Sequence, residues 1–229
     1  MTLRVDFCTR EAATFAVKAW HYSRSMPAGR LACLGAWERD QFVGTVVLGR
    51  GASSEIHSPF GLQQDQICEL CRVALGPHDA PTSQIVSIAV RLLRRQSPGL
   101  RLLVSYADPE HGHHGGIYQA MGWMYVGTTA RESLIRLKGR VLHPRTVTSR
   151  YGTRAINWLR KHVDADAAHV RTHPKHRYLL PLDAAIRQQL AQRALPYPKR
   201  PKEQSPACPA GLAGASPSRS LHLHEVMSV

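Results

Sequence analysis

The sequence predicts a mixed α/β (α+β) fold, and three stretches carry that expectation. In residues 100–127 the apolar run Leu102-Leu103-Val104 has the composition of a strand buried on both faces. It breaks into Ser105-Tyr106-Ala107-Asp108-Pro109, and a glycine pair, Gly115-Gly116, then leads to a short helix and another strand. Residues 30–37 and 42–48 are strand-like runs joined by Glu38-Arg39-Asp40-Gln41, the composition of a hairpin connection, so the sheet begins antiparallel. Behind Pro81-Thr82-Ser83, apolar Ile85, Ile88, Ala89, Leu92 and Leu93 recur at helical spacing.

Taken in order, Leu3-Arg4-Val5-Asp6-Phe7 alternates as a first strand. Thr9 is the expected N-cap of a helix running to Trp20, with Glu11 in the first turn where a carboxylate suits the dipole. His21-Tyr22-Ser23-Arg24-Ser25-Met26-Pro27-Ala28-Gly29 then gathers an imidazole, a phenol, hydroxyls and a guanidinium in one loop. Residues 49–66 lack periodicity and read as a surface loop. Residues 67–75 form the central strand, with Glu69 and Arg72 embedded in it. The helix after Gly76-Pro77-His78-Asp79 is expected to offer free amides to an anion such as phosphate. Residues 117–121 form a short helix presenting Tyr118, and 123–127 a strand. Residues 134–142 read as one strand with Arg136, Lys138 and Arg140 on its outer face. Residues 151–162 read as a helix and 178–182 as a last strand. The expected organisation is a catalytic domain over 1–142, a basic helical and strand extension packed on or next to it over 143–200, and a disordered Pro/Ala/Ser/Gly tail over 201–229.

Composition narrows the function. The 229 residues are 43% hydrophobic, with a mean hydropathy of -0.26, enough for one ordinary core. A formal charge of +14 favours a polyanionic partner, nucleic acid first. From 131 to 202 basic residues heavily outnumber acidic ones, with Tyr151, Trp158, Tyr178 and Tyr197 interspersed, the mixture expected of a nucleic-acid surface. Five cysteines, an odd number lying mostly in apolar runs, read as reduced thiols of a cytosolic protein; Cys68 and Cys71 lack the second pair that a zinc site needs. No apolar run approaches the ~18 to 20 residues that span a bilayer, so no membrane role is expected.

Chemistry on open α/β sheets sits outside the carboxyl ends of strands, which singles out Ser105, Tyr106 and Asp108. The order of a helix, HYS (21–23), a hairpin, ELCR (69–72), SQIVSIAVRLL (83–93), VSYAD (104–108) and IYQAMGW (117–123) resembles the Mom family of phage DNA-modification proteins, a divergent branch of the Gcn5-related N-acetyltransferase fold. The likeness covers about 3–137. It implies an acetyltransferase-like, mostly antiparallel twisted sheet flanked by helices. It also implies modification of adenine N6 in DNA with a carbamoylmethyl-type group that blocks restriction endonucleases, in the cytoplasm of an infected bacterial host or lysogen. One departure is plain: the pyrophosphate loop of ordinary acetyltransferases, Arg/Gln-x-x-Gly-x-Gly/Ala, is replaced here by residues 75–83, Leu-Gly-Pro-His-Asp-Ala-Pro-Thr-Ser.

Adenine N6 is a poor nucleophile, so its transferase needs a base, an oxyanion donor and close positioning. Asp108 is the first choice as base and His21 the second; Tyr22, Ser23, Ser105 and Tyr118 are the candidate donors. Arg72, Thr82 and Ser83 are candidates for holding a phosphate or the donor group. Because a base must leave the stack to be modified, Tyr106 and Trp123 are candidate stacking platforms. Arg24, Arg136, Lys138, Arg140, Arg145, Arg154, Lys175 and Arg177 are candidate DNA contacts. A carbamoylmethyl group is attached through CH2, which simple acylation does not give; an activated glycine such as glycyl-tRNA, transferred and then rearranged, does. Acyl-CoA is the alternative donor, for an N-acyltransferase acting on a protein or small amine. A non-catalytic DNA-binding module is the other alternative. His111-Gly112-His113-His114 reads as a solvated loop tip rather than a metal site.

Overall fold

The computed structural model describes residues 2–51 and 55–200; the expected tail over 201–229 and Cys208 lie outside the described residues. A seven-stranded sheet runs through the molecule in the order β1-β2-β3-β4-β5-β10-β6. Its strands are β1 (Leu3–Phe7), β2 (Leu31–Glu38), β3 (Gln41–Gly49), β4 (Ile67–Leu75), β5 (Leu102–Ala107), β6 (Met124–Thr128) and β10 (His176–Pro181). Every neighbouring pair is antiparallel except β4 and β5. The β2–β3 connection has positive φ at both Arg39 and Asp40, the geometry whose twist matches a tight hairpin.

Helices cover both faces. The helix α2 (Thr82–Gln96) buries Ile85, Val86, Ala89, Val90 and Leu93, and with α3 (Gly116–Ala120) it closes the largest core over Leu34, Val46, Leu48, Leu70 and Leu103. On the other face α1 (Arg10–Trp20), capped by Thr9 accepting the Ala12 amide, lays Ala13, Ala16 and Val17 on Cys33, Val47 and Ala74. Beside it α6 (Ala184–Leu190) and Phe60 and Leu62 cover Ile67, Leu102, Val104 and Leu179. The 49–66 stretch is therefore not wholly superficial, because Phe60 and Leu62 are buried core residues.

Residues 133–171 make a satellite unit with its own small core of Ile135, Leu137, Val147, Leu159 and Ala167. Its three-stranded sheet, in the order β8-β7-β9, comprises β7 (Ser133–Leu137), β8 (Arg140–Leu142) and β9 (Ala168–Arg171); α4 (Pro144–Tyr151) and α5 (Ile156–His162) accompany it. The single strand expected over 134–142 is thus a hairpin that turns at Lys138 and Gly139, both at positive φ, so Lys138 is a turn residue and the expected stripe is interrupted. The single helix expected over 151–162 is replaced by α4, Gly152 and α5. After this unit the chain returns as β10, which hydrogen-bonds β5 on one side and β6 on the other. Of the residues placed by sequence in an extension beginning at 143, His176–Pro181 therefore lie inside the main sheet. Among the described residues no helix is long and apolar enough to cross a membrane.

Candidate active site

The site begins where β4 and β5 part. The two strands pair only from Ile67↔Leu102 to Leu70↔Ser105, and β4 then continues to Leu75 without β5 beside it. On its other edge β4 carries a bulge: Leu70 opposes Leu48 and Arg72 opposes Val47, leaving Cys71 as the extra residue. A cavity of about 610 Å³ opens at this gap. Trp20, His21 and Tyr22 line it from the end of α1, Leu70 to Val73 from β4, Tyr106 to Asp108 from β5, and Gly112 to Tyr118 from the glycine loop and α3.

Three groupings hold its walls. Ser105 Oγ donates to the Leu70 carbonyl at 2.9 Å and lies 2.7 Å from the Tyr118 hydroxyl, so a hydroxyl chain crosses the sheet just where the strands separate. A serine has one proton to give; with it on Leu70, Tyr118 is the donor to Ser105. Burial pushes the Tyr118 phenol up to about 12, keeping it protonated at neutral pH. Asp108 is buried, accepts the Glu110 amide at 3.1 Å and pairs with the Lys175 ammonium at 3.3 Å. Its carbonyl takes the His111 and His113 amides, so the turn that presents these imidazoles is closed on Asp108.

In the third grouping, Tyr22 packs its ring on His111, with centroids 3.9 Å apart, and on His21 at 4.3 Å. His21 Nδ1 accepts the Ser23 amide at 3.1 Å and lies 2.8 Å from Ser23 Oγ, which leaves the ring proton on Nε2. Burial, with the charge of Arg72 and the neighbouring His113 and His111, lowers the His21 pKa to about 4, so the ring is neutral in ordinary buffers. Arg72 donates to the Ser25 carbonyl at 3.2 Å and to the Cys71 carbonyl at 2.7 Å, fastening the 21–26 loop to β4. Burial pushes the Cys68 and Cys71 thiols up to about 12; they are protonated strand residues that donate to the Gly49 and Glu69 carbonyls. That is an unreactive state for a thiol.

The structure thus brings Asp108, His21, Tyr22, Arg72, Thr82, Tyr106 and Tyr118 to one cavity, with Ser105 directly beneath and Ser23 behind His21. Ser83 is not among the lining residues. Trp123 is a correction: it is fully buried against Tyr118 in the main core, because the strand it precedes turns it inward, and it has no face for a base to stack on. Two amides of the loop ahead of α2 are already engaged, outside the first turn of the helix itself. The Asp79 and Ala80 amides already donate to the Glu38 carboxylate at 2.8 and 2.7 Å, and Arg39 adds an ion pair to Asp79 at 2.8 Å. Thr82 in turn meets His78 Nε2 at 3.1 Å. Arg24, Arg136, Lys138, Arg140, Arg145 and Arg154 are exposed, whereas Lys175 and Arg177 are half-buried at the edge of the site. Cys71 and Gly115 were not foreseen as lining residues, and the glycine pair at 115–116 was a signal for the second of them; Glu38, outside the cavity, was not foreseen as the partner of the 79–80 amides.

The profile of the Mom protein family matches residues 2–199. The chain belongs to the Mom family. It is 27% identical over 207 residues to the methylcarbamoylase mom of Escherichia phage Mu, an alignment covering 86% of this chain and 84% of that protein. Among solved structures it is similar to an N-acyl amino acid synthase from uncultured soil microbes (15% identity, TM-score 0.45, 83% of this chain and 96% of that one). It is also similar to a Bacillus subtilis acetyltransferase in complex with CoA (14% identity, TM-score 0.44, 80% and 100%).

Proposed function

We propose that this Mom family chain is a transferase that modifies adenine in DNA at N6, leaving a carbamoylmethyl-type group that protects the DNA from restriction endonucleases. The observation that carries the reading is the convergence of Asp108, Tyr22, Arg72 and the Ser105–Tyr118 pair on one cavity at the gap between β4 and β5. The phage Mu relative, named a methylcarbamoylase, and the +14 charge support it.

Each group has a task suited to its surroundings. Asp108, oriented by the Glu110 amide and Lys175, takes the proton from N6 as the bond to the donor carbonyl forms. Tyr118, protonated at neutral pH and held beside Ser105, turns its O–H from Ser105 toward the cavity and gives its proton to the leaving oxygen. Tyr22 donates to the developing oxyanion, and Arg72 attracts a phosphate of the donor carrier.

A glycyl ester such as glycyl-tRNA fits the product. In the first step N6 bonds to the glycyl carbonyl carbon, the ester C–O bond breaks, and the carrier leaves as an alcohol. The free α-amine then attacks ring C6 through a five-membered spiro intermediate. Breakage of the original C6–N6 bond leaves C6-NH-CH2-CONH2, with no atom gained or lost. Coenzyme A fits less well: the two loop amides ahead of α2 are taken by Glu38, whose negative charge also repels a pyrophosphate there.

The test is mass spectrometry of nucleosides from DNA incubated with the purified chain and tRNA charged with doubly carbon-13-labelled glycine. The expected result is a deoxyadenosine heavier by one glycyl residue with both labelled carbons, lost with Asp108→Ala. Unmodified deoxyadenosine in the presence of folded protein and charged tRNA overturns the reading; a modified base without label overturns the glycyl donor.

A further inference from the structure

A second cavity, of about 530 Å³, adjoins the first on the α1 and α6 side of the sheet and shares Tyr22, Leu70, Cys71, Arg72 and Tyr106 with it. We propose that this second cavity receives the extruded deoxyadenosine, with Tyr106 and Arg177 as its platform and the first cavity left to the donor. The proposal rests on the DNA-modification reading above and deepens it.

Five observations carry it. Arg177 and Tyr106 are directly paired across β10 and β5, so their side chains stand side by side on one face, and both line the cavity. A guanidinium beside a phenol ring is a flat, partly cationic surface of the kind on which bases stack. The Arg177 Nε is buried and has no hydrogen-bond partner among the described residues. A buried donor left unpaired is costly, and a nucleotide acceptor atom entering the cavity would satisfy it.

The wall is also mixed in charge. Arg72, Lys175 and Arg177 suit a phosphate well, while Glu69 and Glu132 on the same wall oppose one. A phosphate alone therefore leaves the carboxylates unmatched. A nucleotide suits both kinds of group, because adenine carries an exocyclic amine that donates to carboxylate. The volume suits it as well, since small-ligand sites span about 300–1,000 Å³.

The mouth, finally, lies where DNA would arrive. Thr129, Glu132, Leu134, Thr172 and His173 bound the cavity at the two ends of the 133–171 unit. That unit carries nine lysines and arginines, all exposed, against two aspartates. Backbone phosphates held there would set the duplex beside the opening, and extrusion would bring N6 to the shared wall at Tyr22 and Arg72.

Photo-crosslinking of full-length protein to duplexes carrying 8-azido-deoxyadenosine, followed by peptide mass spectrometry, tests the placement. Crosslinks to Phe60, Tyr106 or Arg177 are expected; crosslinks confined to Thr82, His113 and Ile117 overturn it. Arg177→Met should raise the KM for DNA by about tenfold with kcat little changed, as expected for one lost charge-assisted hydrogen bond. An unchanged KM also overturns it. Failure of the chemistry is separable: crosslinks at Tyr106 with unmodified DNA keep the pocket and reject the reaction, whereas modified DNA with crosslinks elsewhere rejects the pocket alone.

Discussion

The phenol ring of Tyr178 occupies the space that a side chain at Gly115 would need, and Gly115 itself has φ +85°. The Tyr178 hydroxyl donates to the neighbouring His114 carbonyl at 2.6 Å and accepts from Gln119 at 3.0 Å. One β10 residue thus fixes the glycine loop that walls the cavity at the gap between β4 and β5. Gly115→Ala is expected to lose about 2–4 kcal/mol, combining left-handed strain with overpacking. Gly122→Ala, at φ +68° but with open space around it, should lose only about 1–2 kcal/mol. Urea unfolding of the two variants checks the difference, and equal losses would mean that the Tyr178 contact does not constrain the loop.

Glu38, the last residue of β2, holds the loop before α2. Its two bonds from the Asp79 and Ala80 amides hold the carboxyl below its usual range. A depressed folded-state pKa stabilises the protein above the ordinary carboxylate value, and that contribution is lost as pH falls through the lowered one. Protection of the Asp79 and Ala80 amides from hydrogen exchange, corrected for intrinsic rates, should therefore drop on acidification below about pH 4.5. In Glu38→Gln protection should be low at every pH. Equal protection in the two proteins would remove Glu38 from this role.

What the sequence disclosed follows from how far each determinant reaches along the chain. Thr9 capping α1, the span of β4 and the stripe of α2 are local patterns, and each stands where residue spacing put it. Tyr178-Leu179-Leu180 is equally apolar whichever strands it joins, so its place between β5 and β6 was not readable. The turn at Lys138-Gly139 was hidden because apolar alternation continues through it. The site shows the same division. Ser105, Asp108 and Tyr118 lie close together in sequence, whereas Glu38 meets Ala80 from 42 residues away. Trp123 misled because an aromatic at a strand start has the same composition whether it faces a ligand or a core.

The His21 environment makes a prediction about acid. Its imidazole is lowered from 6.5 to about 4, chiefly by burial. Between those values the unfolded chain binds more protons than the folded one, so stability rises with pH across the window and declines as pH falls from 6.5 toward 4. The ring is partly exposed, so solvent moderates the effect. Imidazole NMR of the native protein should give a midpoint near 4 for His21, and His21→Gln should flatten stability between pH 4.5 and 6.5. A midpoint near 6.5 would show that the ring is open to water and free to serve as a base.

The Ser105–Tyr118 pair separates chemistry from packing. Tyr118→Phe keeps the ring against Trp123 and Tyr178 and removes only the hydroxyl. If that hydroxyl supplies the leaving-group proton, kcat should fall by about 10²–10³-fold with the KM for DNA unchanged and little change in unfolding midpoint. Ser105→Ala acts differently, because it strips partners from both the Leu70 carbonyl and the Tyr118 hydroxyl inside the core. It should cost about 1–3 kcal/mol of stability and lower kcat less than Tyr118→Phe does. Since Tyr118 keeps its proton up to about 12, wild-type activity should show no alkaline loss from this group in the neutral range. Full activity in Tyr118→Phe would leave the hydroxyl as a core hydrogen bond and send the search for the proton donor to Tyr22.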